Sequence, residues 1–132
     1  MKQRSHRAIV RALAGACLLA VTPSAQAAFV YTDLPNFTIG SGWAAYGGGN
    51  QYSISSGGDG TVSYRWTETT DQDNLISGNA CSDLSQYGQH QFNAGVTVYR
   101  QLFSGSTGQC FYVLGKTVAG GTMFNLDGRI QR

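Results

Sequence analysis

The sequence predicts an all-β fold, a small antiparallel β-sandwich or barrel of about seven or eight short strands held by one disulfide, and three observations carry that expectation. Apolar residues alternate with polar ones at a period of two: Val62, Tyr64 and Trp66 interleave with Ser63, Arg65 and Thr67. Clusters of Gly, Ser, Asn and Asp interrupt the chain at short intervals. Beyond the first 27 residues, no long stretch carries the 3.6-residue period of an amphipathic helix.

Taken in order, the elements begin with a short strand over Phe29 to Thr32, a second over Phe37 to Ile39 and a third over Trp43 to Tyr46, each bounded by Gly, Pro, Asn or Asp. Tyr52 and Ile54 alternate with Ser53 and Ser55, and Gly57-Gly58-Asp59-Gly60 separates this run from the strand at Val62 to Trp66; the pair reads as a β-hairpin. Residues 68–80 read as a long polar loop. One helical turn is expected at Asp83 to Tyr87, with Ser82 as N-cap and Gly88 as stop. A second hairpin is expected from Val96 to Phe103 and Gln109 to Leu114, joined by Ser104-Gly105-Ser106-Thr107-Gly108. A last strand covers Thr122 to Leu126.

The N-terminus carries a different signal. Lys2, Arg4 and Arg7 precede an uncharged run from Ala12 to Val21, which Thr22, Pro23 and Ser24 end. That run is about half the length an α-helix needs to cross a bilayer, so it reads as the core of a Sec signal peptide rather than an anchor. Ala25-Gln26-Ala27 places small residues where a signal peptidase reads them, and the expected mature domain is residues 28–132, secreted to the periplasm or the medium. Ala14, three residues before Cys17, and the apolar Leu18 to Val21 after it argue against a lipoprotein signal, and Arg4 and Arg7 are not adjacent as a twin-arginine signal requires.

Removing that leader reverses the charge. The whole chain is formally +2, but residues 28–132 keep five basic residues against seven acidic ones, a formal −2. An acidic domain with a single lysine lacks the basic footprint of a nucleic-acid or anionic-membrane binder. Cys81 and Cys110 are the cysteines left, an even pair for an oxidising compartment, and predict a disulfide worth roughly 3 to 4 kcal/mol.

Several motif-like stretches fail on context. Gly40-Ser41-Gly42-Trp43-Ala44-Ala45 has the letters of a dinucleotide fingerprint, but no helix begins there to receive a pyrophosphate. Gly115-Lys116-Thr117 ends like a phosphate-binding loop, yet Cys110 stands where that loop needs glycine. Asp71-Gln72-Asp73-Asn74 clusters oxygen ligands of the calcium type, and Leu75 and Ile76 break the pattern. One histidine in the mature domain is too few for a zinc site. No cofactor and no metal are expected.

Two kinds of site remain. Trp43, Tyr46, Tyr52, Tyr64 and Trp66 fall within residues 43–66 among Gly, Ser, Asn and Gln. Flat rings beside amides suit a sugar-binding or protein-binding face, and Trp43, Tyr46, Tyr52 and Trp66 are the candidate binding residues. The competing assignment is that Tyr64 and Trp66 share the core face of a strand with Val62. A catalytic alternative takes Glu68 as general base, His90 as general acid and Arg100 as an anion clamp, the residue types of a small secreted hydrolase or nuclease. The leading expectation is an exported non-catalytic binding module whose partner is an extracellular protein or polysaccharide, for instance a secreted hydrolase it inhibits. A surface-associated structural protein, suggested by the 18 glycines, is the other alternative.

Overall fold

The computed structural model describes residues 28–118 and 120–132; the predicted signal peptide, residues 1–27, lies outside the described residues. The described residues form nine strands: β1 (Tyr31–Ile39), β2 (Ala44–Ala45), β3 (Gln51–Ser53), β4 (Thr61–Trp66), β5 (Asn74–Ala80), β6 (Gln86–Phe92), β7 (Arg100–Ser104), β8 (Cys110–Thr117) and β9 (Phe124–Gln131). They make two antiparallel sheets, one of four strands in the order β1-β9-β4-β7 and one of five in the order β2-β8-β5-β6 with β3 also on β8. The all-β expectation and the Cys81–Cys110 bridge are both present.

The core lies between the sheets and follows from the period of two. Val62, Tyr64 and Trp66 of β4 are fully buried while Thr61, Ser63 and Arg65 are not, and Phe111 and Val113 of β8 meet them from the other sheet. Tyr64 and Trp66 pack edge to face at 5.2 Å between centroids, and Phe37 joins both. The buried indole Nε1 of Trp66 donates to Asn74 Oδ1 at 2.8 Å, tying β4 to β5 across the sandwich. Asn74 Nδ2 donates in turn to the Gln72 carbonyl at 3.1 Å, so the buried amide is paired on both ends.

Neither predicted hairpin forms. β3 pairs with β8 and β4 with β7 and β9, so residues 54–60 carry the chain from one sheet to the other. β7 pairs with β4 and β8 with β5, so residues 105–109 cross back. Each Gly-rich stretch does reverse the chain, but a reversal says nothing about which sheet receives the next strand. The two crossings lie side by side, Gly105 N–H donating to the Gly60 carbonyl at 2.8 Å. A tight hairpin does join β5 to β6, in the region read as a polar loop and a helical turn. There Leu84 takes φ +62°, Asp83 Oδ1 accepts the Ser85 N–H at 2.9 Å, and Tyr87 and Gly88 lie in β6. The first two predicted strands merge into β1, with a bulge between Leu34 and Phe37 where Asn36 has φ +56°.

The expected strand at Trp43 to Tyr46 is an interrupted edge. Ala45 faces Leu114 and Gln51 faces Tyr112, so Tyr46 to Asn50 bulge out opposite a single residue of β8. At this side the Tyr46 hydroxyl donates to the Pro35 carbonyl at 3.1 Å, and at the other side β6 runs beside β7. The sheets therefore touch at both lateral edges. Among the described residues no helix is long and apolar enough to cross a membrane.

Candidate functional site

The outer face of the five-stranded sheet can be built row by row from its register. Inward-facing Phe111, Val113, Gly115 and Thr117 of β8 are buried, so Tyr112, Leu114 and Lys116 point outward. Lys116 stands opposite Leu75, which stands opposite Gln91; Leu114 stands opposite Ser77 and then Gln89; Tyr112 stands opposite Asn79 and then Gln86. On the other side of β8, Ala45 and Gln51 extend the second and third rows. Trp43 precedes Ala44, the partner of Gly115, and its ring lies 5.2 Å from Lys116 Nζ. The result is a face with one charge among these residues, amides along its length and aromatic rings toward one side.

The four predicted binding residues separate here. Trp43 is 41% exposed and is the ring available on this face. Tyr46 is half-buried, packs edge to face on Phe37 at 5.4 Å and ties the turn to β1 through its hydroxyl; burial, then the Asp127 carboxylate, raise that hydroxyl above its usual value. Tyr52 stands opposite inward-facing Phe111 and packs on its ring at 5.9 Å, and burial pushes its hydroxyl up. Trp66 is wholly buried, so the competing core assignment describes it and it belongs to no surface. The aromatic cluster of the sequence is thus mostly a structural seam.

Tyr112 was not singled out by the sequence reading, although its signal was present. Cys110, Tyr112, Leu114 and Lys116 alternate with the core residues of β8, and Gln86, Gln89 and Gln91 mark an outer strand as amide-rich. Gln51 Nε2 donates to the Tyr112 hydroxyl at 2.8 Å and fixes the ring's position. Beside it, Ala45, Gly48, Gly49, Leu84 and Tyr112 line a shallow cleft of about 290 Å³.

The three residues of the catalytic alternative stand on separate segments of the chain. Glu68 follows β4 and its Oε2 accepts the Asp127 N–H at 2.7 Å. His90 sits in β6 of the other sheet, its ring 5.5 Å from Phe92, and Arg100 opens β7 opposite Tyr64. Among the described residues no hydrogen bond or ion pair joins any two of the three. The Asp71–Asn74 stretch is likewise engaged in holding loops: Gln72 Oε1 accepts the Thr122 N–H at 2.6 Å and Asp73 Oδ1 the Ala94 N–H at 2.8 Å.

No family model, no curated protein and no solved structure matches this chain.

Proposed function

We propose that the protein is an exported, non-catalytic binding module that takes a neutral, extended polysaccharide on the outer face of its five-stranded sheet. The observation that carries this reading is the exposed Trp43 ring on a face whose other side chains are amides, Tyr112, Ser77, apolar groups and a single lysine. An indole offers a rigid apolar plane to the C–H face of a sugar, and amides supply both donors and acceptors to its hydroxyls. A face with one charge has little to offer a strongly charged partner. Tyr112 lies four residues along β8 from Lys116, about 13 Å, so the two rings span several sugar units. Export is supported by the basic N-terminus, the short apolar run, Ala25-Gln26-Ala27 and the disulfide.

Affinity electrophoresis through gels containing cellulose derivatives, xylan, soluble starch or glycol chitin tests the reading. The protein is expected to be retarded by at least one of them, and Trp43→Ala to weaken that retention by about tenfold, the worth of one aromatic platform. A wild-type protein that migrates freely in all four gels, or a Trp43→Ala variant retained as strongly as wild type, would remove this function.

A further inference from the structure

The opposite face of the molecule carries a second, differently built cleft. On the outer side of the four-stranded sheet, Asp33, Arg129 and Arg65 stand in one row across β1, β9 and β4. Asp127 lies two residues before Arg129 on the same face of β9. With Pro35 and Thr67 these residues line a cleft of about 400 Å³. Its four charges are not used alike. Arg129 Nε donates to Asp33 Oδ1, and the two neutralise each other. The Arg65 side chain has no ion pair and no hydrogen bond among the described residues; its guanidinium carbon lies 5.3 Å from the Tyr99 ring centroid and its Nε is buried without a partner. Asp127 accepts the Asn36 N–H through Oδ1 at 2.8 Å and faces no cation with its other oxygen.

A guanidinium partly withdrawn from water and left unpaired is costly, and a native structure that keeps one calls for a reason. With Nε buried, the two Nη groups are the donors left open to a ligand, and as a planar pair they suit a carboxylate. A simple anion would meet Asp33 and Asp127 as well, and a simple cation would meet both arginines. A ligand bearing one charge of each sign, close together, meets neither objection.

We propose that this cleft binds a small zwitterion, a free α-amino acid, with its carboxylate on the Arg65 fork and its ammonium on the free oxygen of Asp127. Arg65 and Asp127 are on neighbouring strands two residues out of register, roughly 7 to 8 Å apart at the backbone, and so approach such a ligand from two sides. The cleft leaves space for a side chain toward Pro35 and Thr67. The site is independent of the polysaccharide face, which lies on the other sheet.

Titration of the purified protein with L-alanine, L-leucine and L-glutamine, followed through backbone amide NMR signals, tests the site. Amides of β4 and β9 around Arg65 and Asp127 are expected to shift with a dissociation constant in the range of about 0.1 to 10 mM. The N-acetyl form, lacking the ammonium, and the methyl ester, lacking the carboxylate, should each bind about tenfold more weakly. Asp127→Asn keeps an acceptor for Asn36 and should lose only the ammonium arm; Arg65→Lys keeps the charge and should lose the fork, with an unchanged amide spectrum elsewhere showing that each variant folds. Absence of shifts in this region with all three amino acids at about 10 mM overturns the proposal. So does acetate binding as tightly as L-alanine, because the Asp127 arm would then contribute nothing.

Discussion

Tyr64 shows how a residue can be legible in its role and not in its chemistry. Its place in the core follows from its alternation with Ser63 and Arg65, and it is fully buried. Its hydroxyl, however, has no hydrogen-bond partner, and its ring occupies the space that a side chain at Gly128 would need, a Cβ there falling 2.0 Å from the oxygen. Burial, then the nearby Tyr46 and Asp127, hold the Tyr64 hydroxyl well above the usual 10.0. The folded state therefore keeps the proton more tightly than the unfolded chain does. Stability from this group is whole below about pH 10 and falls as pH rises from there toward the folded value. Tyr64→Phe removes an unsatisfied polar group and is expected to leave stability at pH 7 unchanged or raised by up to about 1 kcal/mol, while flattening the loss in alkali. Urea unfolding at neutral and alkaline pH measures both; a clear loss at pH 7 would mean the hydroxyl has a buried partner after all. Of the two tryptophans offered as candidates, Trp43, between Gly42 and two alanines, is exposed, whereas Trp66, which alternates with polar residues along β4, is core.

At the scale of the element, β5 was the hardest to see. Asn-Leu-Ile-Ser-Gly-Asn-Ala is poor in β-formers, yet it runs between β8 and β6 with Asn74, Ile76, Ser77, Gly78 and Ala80 buried. Its weak residues are explained by what they meet: Asn74 receives the Trp66 indole, and Gly78 leaves room for Phe103, whose Cε1 would lie 2.2 Å from an added Cβ. None of these partners is local, so propensity carried no sign of them. Gly88, opposite Gly78 on β6, marks where the two sheets close: an added Cβ would sit 2.2 Å from the Leu102 carbonyl oxygen and 3.1 Å from Phe103 Cβ. Since backbone must move to admit it, Gly88→Ala is expected to cost about 2 to 3 kcal/mol. Gly42→Ala, with nothing within 4 Å of the added atom, should change stability by less than about 0.5 kcal/mol. Chemical denaturation of the pair checks the contrast, and equal midpoints would show that β6 and β7 are looser than their packing implies.

Across the whole molecule, most strand connections change sheet and most contacts are long-range, and the disulfide acts against the entropy of that arrangement. Cys81 follows Ala80, the partner of Phe111, and it meets Cys110 at 5.6 Å between Cα atoms, 29 residues apart in sequence. The bridge thus locks the β5–β6 hairpin to the start of β8. Reduction is expected to lower stability by about 3 to 4 kcal/mol, a large share of the roughly 5 to 15 kcal/mol of a domain this size. Urea melts with and without reductant, with thiols counted at each midpoint, measure it; unchanged midpoints would show that the sandwich restrains the unfolded chain little through this link. The same architecture places the two proposed sites, for a polysaccharide and for a zwitterion, on the outer surfaces of different sheets, so that a ligand at one would leave the other open.

The all-β class, the core alternation of β4 and the cysteine pair are legible in the chain alone, because a strand's period of two and a two-cysteine inventory are local or compositional facts. Strand partners, sheet membership and which aromatic rings reach the surface are settled by the packed fold. Turn residues encode that the chain reverses but not the sheet it enters, and a ring is exposed or buried according to residues far away in sequence. The row of Asp33, Arg129 and Arg65 shows the limit most plainly: its members are separated by up to 96 residues and become one cleft only when β9 runs between β1 and β4.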